Sequence, residues 1–126
     1  MLPEEKKRFV FALVKDMVFA GKLAEQAALH HLTLRNFDRP ERLVEQTKGE
    51  RPSLVLVDLD RAEAEAFRLL KTLRADADLK GIPVIGCVSQ AKRDLKAEAE
   101  FAGCLRVYFK TEFFKTISDI MIRYAQ

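Results

Sequence analysis

The sequence has no tryptophan, only two cysteines and no large excess of charge of one sign. Cys87 and Cys104 lack CxxC spacing, and each lies in an apolar, strand-like segment, so we expect buried free thiols rather than a disulfide or a metal site. The 22 lysines and arginines are interleaved with 19 acidic residues, and the net charge is only +3. Without a basic stripe to follow a phosphate backbone, we predict no nucleic-acid partner.

Long apolar runs are also missing. A helix needs about 20 consecutive apolar residues to cross a bilayer, and no segment of this sequence approaches that length. The start of the chain, Met-Leu-Pro-Glu-Glu-Lys-Lys-Arg, has mixed charge and lacks the apolar core of a secretory signal. We therefore predict a cytoplasmic protein with no membrane partner.

The composition is that of an ordinary globular protein, 48% apolar and 33% charged. A chain of 126 residues suits one hydrophobic core. The sequence contains no linker, internal repeat or low-complexity segment. We expect a single domain over residues 1–126, with its core in 8–125.

Apolar segments of strand length alternate with segments of helical periodicity. Continuous apolar runs, such as Leu-Val-Leu-Val directly before Asp58, are typical of strands buried on both faces of a parallel sheet. We expect Asp38 to cap the second helix and Gly103 to end the fourth. The predicted strands are 9–14, 32–36, 54–57, 84–88 and 105–109, each followed by a helix.

Five such units with short connections imply an α/β fold, a parallel sheet with helices on both faces. Ligands of such sheets bind at the carboxyl ends of the strands, where this sequence has Asp16, Asp58, Ser89 and Lys110. A carboxylate there can act as a nucleophile towards phosphorus, and carboxylate and carbonyl oxygens are ligands that Mg²⁺ prefers. A hydroxyl and an ammonium can bind phosphoryl oxygens.

In this arrangement the chain resembles a response-regulator receiver domain from Arg8 to Tyr124. Receivers carry an acidic pair after the first strand, a phosphoacceptor Asp after the third, Ser or Thr after the fourth and Lys after the fifth. The matching segments here are 14–16, 54–58, 83–89 and 107–110. The resemblance implies a three-layer α/β/α domain of the flavodoxin or CheY-like type, with five helices and five parallel strands in the order 2-1-3-4-5.

The resemblance also implies a role in two-component signalling rather than an enzyme activity. Asp58 would accept a phosphoryl group from a histidine kinase or a phosphotransfer protein, and Ser89 and Lys110 would read the phosphorylated state. Mg²⁺ would be held by Asp16, Asp58 and the main-chain carbonyl of Asp60. The signal would pass to a downstream protein partner, and the last helix is a possible homodimer surface.

The sequence departs from the receiver pattern at Lys15, in the loop after Asp58, which lacks the usual Met-Pro, at Thr111, where receivers usually have Pro, and at the aromatic switch position. Lys15 stands where receivers have the first acid of the pair, and a lysine near the metal would oppose Mg²⁺ binding. Its side chain could instead turn outward into solvent or pair with Asp58. The aromatic switch position corresponds to Val107, and Tyr108 comes one residue later, so its side chain should point to the opposite face of the sheet.

Three alternatives accompany this interpretation. Asp58 could simply cap the following helix. The domain could be a pseudo-receiver that is not phosphorylated and serves as a constitutive protein-interaction module. Asp58-Leu59-Asp60 also resembles the Asp-x-Asp of haloacid-dehalogenase-type phosphotransferases, although no further acidic pair ends a later strand.

Overall fold

A computed structural model describes residues 8–125, so residues 1–7 and 126 of the predicted domain lie outside the described part. Ten helices and strands alternate along these residues, and a short 3₁₀ turn, Gln90–Lys92, precedes α4. They are β1 (Arg8–Leu13), α1 (Met17–Leu29), β2 (Leu32–Phe37), α2 (Pro40–Gln46), β3 (Pro52–Asp58), α3 (Glu63–Ala75), β4 (Val84–Val88), α4 (Asp94–Ala102), β5 (Arg106–Phe109) and α5 (Lys110–Tyr124).

The strands form one parallel sheet in the order β2-β1-β3-β4-β5, as predicted. Strand β3 is central, between β1 and β4, and its carboxyl end therefore lies at the middle of one sheet edge. Within residues 8–125, no helix is long and apolar enough to span a bilayer.

Two apolar clusters cover the two faces of the sheet. Successive side chains of a strand point to opposite faces, so Phe11 and Leu13 belong to one cluster while Val10 and Ala12 belong to the other. The first cluster includes buried residues of α2, α3 and α4, and the second includes those of α1 and α5. The predicted three-layer α/β/α architecture is thus confirmed.

The cysteines and the residues of β5 also lie as expected. Cys87 and Cys104 are buried free thiols on opposite faces of the sheet. Burial raises the pKa of Cys104 to about 12 and that of Cys87 well above its ordinary value.

Val107 packs in the first cluster and Tyr108 against the second, so the aromatic ring does face away from the usual switch side.

Some local predictions differ from the structure, and the strand bounds shift by one or two residues, as in β3, which begins at Pro52, and β5, which begins at Arg106. Asp38 does not cap α2, because the helix begins at Pro40 with Arg39 in the cap position and no side-chain cap hydrogen bond. Proline at the first helical position has no N–H that needs a partner. Strand β1 ends at Leu13 rather than Val14. The main chain of Val14 is hydrogen-bonded by the Asn36 side chain, which accepts from the Val14 N–H at 3.1 Å and donates to the Val14 carbonyl at 2.8 Å.

Candidate functional site

Asp58 ends the central strand and is the one buried charged or polar residue within the described chain, with 0% of its surface exposed. Its Oδ1 accepts a hydrogen bond from the Asp60 N–H at 3.0 Å. The following helix, α3, begins only at Glu63, with Ala62 in the cap position. Asp58 therefore does not cap that helix, and its carboxylate is turned into the site at the sheet edge.

Lys110, the first residue of α5, supplies the cation for this buried carboxylate. Its Nζ lies 3.2 Å from Asp58 Oδ1 and 3.3 Å from Oδ2. The same Nζ lies 2.9 Å from Asp60 Oδ2, and 5.3 Å from the centre of the Phe19 ring. Burial lowers the pKa of Lys110, but the hydrogen bond to Asp60 and the charge of Asp58 outweigh it, so the pKa is raised and the ammonium stays protonated.

The Asp60 side chain is a member of the site that the sequence interpretation missed. Its Oδ1 accepts from the Ser89 N–H at 2.9 Å while its Oδ2 contacts Lys110. Burial raises the pKa of the Asp60 carboxyl. The Ser89 amide and the Lys110 ammonium lower it by more, so the pKa is below its ordinary value. The sequence assigned only the carbonyl of Asp60 a role, although the Asp-x-Asp spacing was a signal for a second carboxylate.

That carbonyl is also engaged. The ammonium of Lys92, at the end of the 3₁₀ turn after β4, donates to Asp60 O at 2.7 Å. No sequence motif singled out Lys92, because its contact depends on how the loop after β4 folds over the loop after β3. Asp60 therefore has hydrogen-bond donors on both its main-chain and its side-chain oxygens.

Ser89 is brought to the site by its backbone. It occupies the cap position of the 3₁₀ turn, yet its hydroxyl makes no cap hydrogen bond. Its N–H is the donor to Asp60 described above. An ordinary capping role for the hydroxyl is thus excluded, and the residue lies half-buried beside the acidic pair.

Asp16 holds the start of α1. Its Oδ1 accepts from the N–H groups of Val18 at 3.0 Å and Phe19 at 3.2 Å, which is a typical N-cap. The Phe19 hydrogen bond is the largest cause of a lowered Asp16 pKa, and the positive charges of Arg61 and Lys110 lower it further. The Asp16 carboxylate therefore caps α1 and is also close enough to Lys110 for that positive charge to lower its pKa.

Lys15 points away from Asp58. Its ammonium pairs with Glu65 Oε1 at 2.5 Å, and its side chain is 39% exposed. Of the three placements considered for this residue, the pair with Asp58 is not observed, and the partly exposed ammonium instead has Glu65 as its partner. The cation at Asp58 is Lys110, not Lys15.

Each of the three residues predicted to hold Mg²⁺ already has a protein donor on at least one of the oxygens concerned. Asp16 caps α1, Asp58 contacts Lys110, and the Asp60 carbonyl receives the Lys92 ammonium. An ammonium on the carbonyl oxygen repels a divalent cation at the same atom and weakens its binding. Within residues 8–125 no group of three or more acidic, histidine or cysteine side chains could hold a metal ion. In this arrangement the Lys92 and Lys110 ammonium groups oppose a divalent ion, and the Mg²⁺ site stays a prediction.

Several solved structures share this fold across nearly the whole chain. A response regulator from Hahella chejuensis is 16% identical, with 94% of this chain and 95% of that chain covered and a TM-score of 0.80. The phosphorylated cyanobacterial phytochrome response regulator RcpA is 16% identical, with 94% of each chain covered and a TM-score of 0.77. The Mn²⁺-bound form of response regulator Rcp1 is 15% identical, covers 94% of this chain and 95% of its own, and has a TM-score of 0.75.

No protein-family profile and no curated protein matches the sequence. The structural neighbours are response-regulator receiver domains, and the chain has their CheY-like fold.

Proposed function

We propose that this chain is a receiver-type signalling domain in which Asp58 is the phosphoacceptor. The observation that carries the proposal is the fully buried Asp58 carboxylate at the end of the central strand, with the Lys110 ammonium 3.2 Å away. Burying a carboxylate costs free energy unless it is paired. The pair of Asp58 and Lys110 lies at the edge of the sheet where parallel sheets bind ligands, so a nucleophile and a compensating positive charge are adjacent there.

The reaction is the transfer of a phosphoryl group from a phosphohistidine. A carboxylate oxygen of Asp58 attacks the phosphorus, and a new O–P bond forms. The N–P bond breaks, its electron pair returns to the imidazole nitrogen, and that nitrogen takes a proton from water. Lys110 is placed to compensate the negative charge on the phosphoryl oxygens. The domain is the acceptor in this step and not an enzyme, and the donor is a histidine kinase or a phosphotransfer protein.

A donor protein and a downstream partner both need a surface beside the site. Met17 and Val18, which follow Asp16 at the start of α1, are 75% and 71% exposed, and Phe114 of α5 is 42% exposed. Exposed apolar side chains next to a charged site are typical of a protein-binding surface. We propose that protein partners, a second copy of the chain among them, bind here. We propose a cytoplasmic location for the domain, because a histidine kinase needs ATP to supply the phosphoryl group.

A second candidate function is a pseudo-receiver that binds proteins without being phosphorylated. The hydrogen bond from Lys92 to the Asp60 carbonyl, 2.7 Å long, favours it because an ammonium stands at the atom assigned to a divalent cation. The phosphotransferase alternative has less support, since Ser89 and Lys110, rather than acids, follow β4 and β5.

Treatment with acetyl phosphate, or with beryllofluoride, in the presence and absence of Mg²⁺ separates the two candidates. We expect intact-mass spectrometry to show one phosphoryl adduct on the unmodified chain and none on Asp58→Asn, and beryllofluoride to shift the amide spectrum around Ser89 and Lys110. If no adduct forms and the amide spectrum stays unchanged, the phosphoacceptor proposal fails and the pseudo-receiver remains.

A further inference from the structure

The Asp60 carboxylate uses the donors of a small anion site. Its two oxygens have different partners, the Ser89 N–H at 2.9 Å on Oδ1 and the Lys110 ammonium at 2.9 Å on Oδ2. An amide N–H and an ammonium that converge on one negatively charged group are the arrangement by which proteins bind phosphate-like anions. Here the anion belongs to the chain itself.

The amide and ammonium donors of this site are already engaged. A backbone amide has one hydrogen and an ammonium has three. The Ser89 hydrogen goes to Asp60, and the Lys110 ammonium is within hydrogen-bond distance of both Asp58 oxygens as well as Asp60 Oδ2. An incoming anion would therefore have to take donors from Asp60, and it would also meet the Asp60 charge at short range.

Lys92 fixes the position of the Asp60 backbone. Its ammonium donates to Asp60 O at 2.7 Å, and the Asp60 N–H donates to Asp58 Oδ1 at 3.0 Å. The residue is thus held through its N–H, its carbonyl and both side-chain oxygens. A merely exposed acid would have none of these contacts, and the Asp60 side chain is only 15% exposed.

From these contacts we infer that Asp60 is an internal anion that occupies the oxyanion-binding site formed by Lys110 and Ser89, and so competes with any external phosphate or phosphoryl group. The inference deepens the proposed function, on which it rests, because the same donors would serve a phosphoryl group on Asp58. An external anion binds to Lys110 and Ser89 only when the Asp60 carboxylate has moved away from them, so Asp60 lowers the affinity of the site for phosphate.

The test is inorganic phosphate binding to Asp60→Asn in the full chain. The amide keeps the size of the side chain and can still accept from Ser89, but it removes the negative charge. Titration at constant ionic strength, followed by the Ser89 amide signal, should give a phosphate Kd about tenfold lower than that of the unmodified chain, because a negative charge at short range is removed. Asp60→Ala provides a second variant in which the competing oxygens are absent altogether.

Two controls locate the effect. Asp78→Asn removes the same charge from an exposed loop that precedes β4, at the opposite edge of the sheet, and should bind phosphate as the unmodified chain does. Adding Lys110→Gln to Asp60→Asn should abolish the gain, because the cation of the site is lost. If neither Asp60 variant gains affinity, or if the gain survives the Lys110 substitution, the inference is overturned.

Phosphoryl adducts on the same variants keep the two proposals distinguishable. Suppose that the adduct forms equally on the unmodified chain and on Asp60→Asn, and that both bind phosphate with equal affinity. This result supports Asp58 as phosphoacceptor and overturns the proposal that Asp60 is an internal anion. A phosphate gain in Asp60→Asn without any adduct on either chain supports the internal anion and overturns the phosphoacceptor.

Discussion

The Lys92 ammonium donates to the main-chain carbonyl of Asp60 at 2.7 Å and joins the loop after β4 to the loop after β3. Both loops lie at the carboxyl edge of the sheet, beside Asp58. A positive charge is thereby placed at the oxygen atom that the sequence assigned to a metal ion. The consequences of this contact, and of the neighbouring pairs, can be measured.

Replacing Lys92 with Met should strengthen binding of Mg²⁺ or Mn²⁺. A unit charge about 4 Å from a divalent ion is worth roughly 1 to 2 kcal/mol where water screens it, so we expect a Kd about tenfold lower. Isothermal titration calorimetry with Mg²⁺ measures the change. Lys80→Met, an exposed residue before β4 at the other edge, is the matched control. Equal affinity of the two variants would show that Lys92 does not compete with metal.

Replacing Lys110 with Met should destabilise the fold. The substitution leaves the fully buried Asp58 carboxylate without its cation, which costs about 3 kcal/mol or somewhat less here because Lys110 is partly solvent-exposed. Urea unfolding gives the change in the free energy of unfolding.

The double variant Lys110→Met with Asp58→Asn should recover much of this loss, since the unpaired buried charge is gone. Lys115→Met, on an exposed position of the same helix, should change stability by less than about 0.5 kcal/mol. A Lys110 variant as stable as the Lys115 variant would contradict the pairing.

Asp60 should contribute to the loss of stability in acid. Its pKa is lower in the folded chain than the ordinary value of 3.8, so the folded state binds its proton less readily than the unfolded state does. This contribution is present above pH 3.8 and is lost as the pH falls through the folded pKa. The free energy of unfolding of Asp60→Asn should therefore fall less steeply below this pH than that of the unmodified chain. Parallel curves for the two proteins, with Asp78→Asn as the reference, would contradict the prediction.

Replacing Asn36 with Ala should loosen the end of β1. The Asn36 amide satisfies both the N–H and the carbonyl of Val14, which is only 2% exposed. Loss of both bonds should cost about 1 to 3 kcal/mol, and hydrogen exchange of the Val14 amide should accelerate. Asn36→Asp keeps the acceptor for the Val14 N–H but sets a carboxylate oxygen against the Val14 carbonyl, so it should not recover the stability of the unmodified chain. Unchanged exchange in Asn36→Ala would show that water replaces the side chain at no cost.

Much of the fold followed from local pattern. The continuous apolar runs before Asp58 and Ser89 predicted buried parallel strands, and these are β3 and β4 of the structure. Because parallel strands place their carboxyl ends at one edge, the sequence also predicted that Asp58, Ser89 and Lys110 would meet there. The cap of α2 was predicted wrongly at Asp38, since the choice between neighbouring cap positions depends on where the chain enters the helix.

The sequence by itself thus determined the layers, the strand order implied by its resemblance to receivers, and the edge on which the polar residues gather. Only the tertiary structure decided which charge meets which: Lys110 pairs with Asp58, Lys15 turns to Glu65, and Asp60 takes the Ser89 amide. The physical reason is that strand periodicity fixes the direction of a Cβ atom, whereas a long side chain has several rotamers of similar energy. The charges and hydrogen-bond donors of neighbouring loops select among those rotamers, and the loops meet only after the sheet has formed.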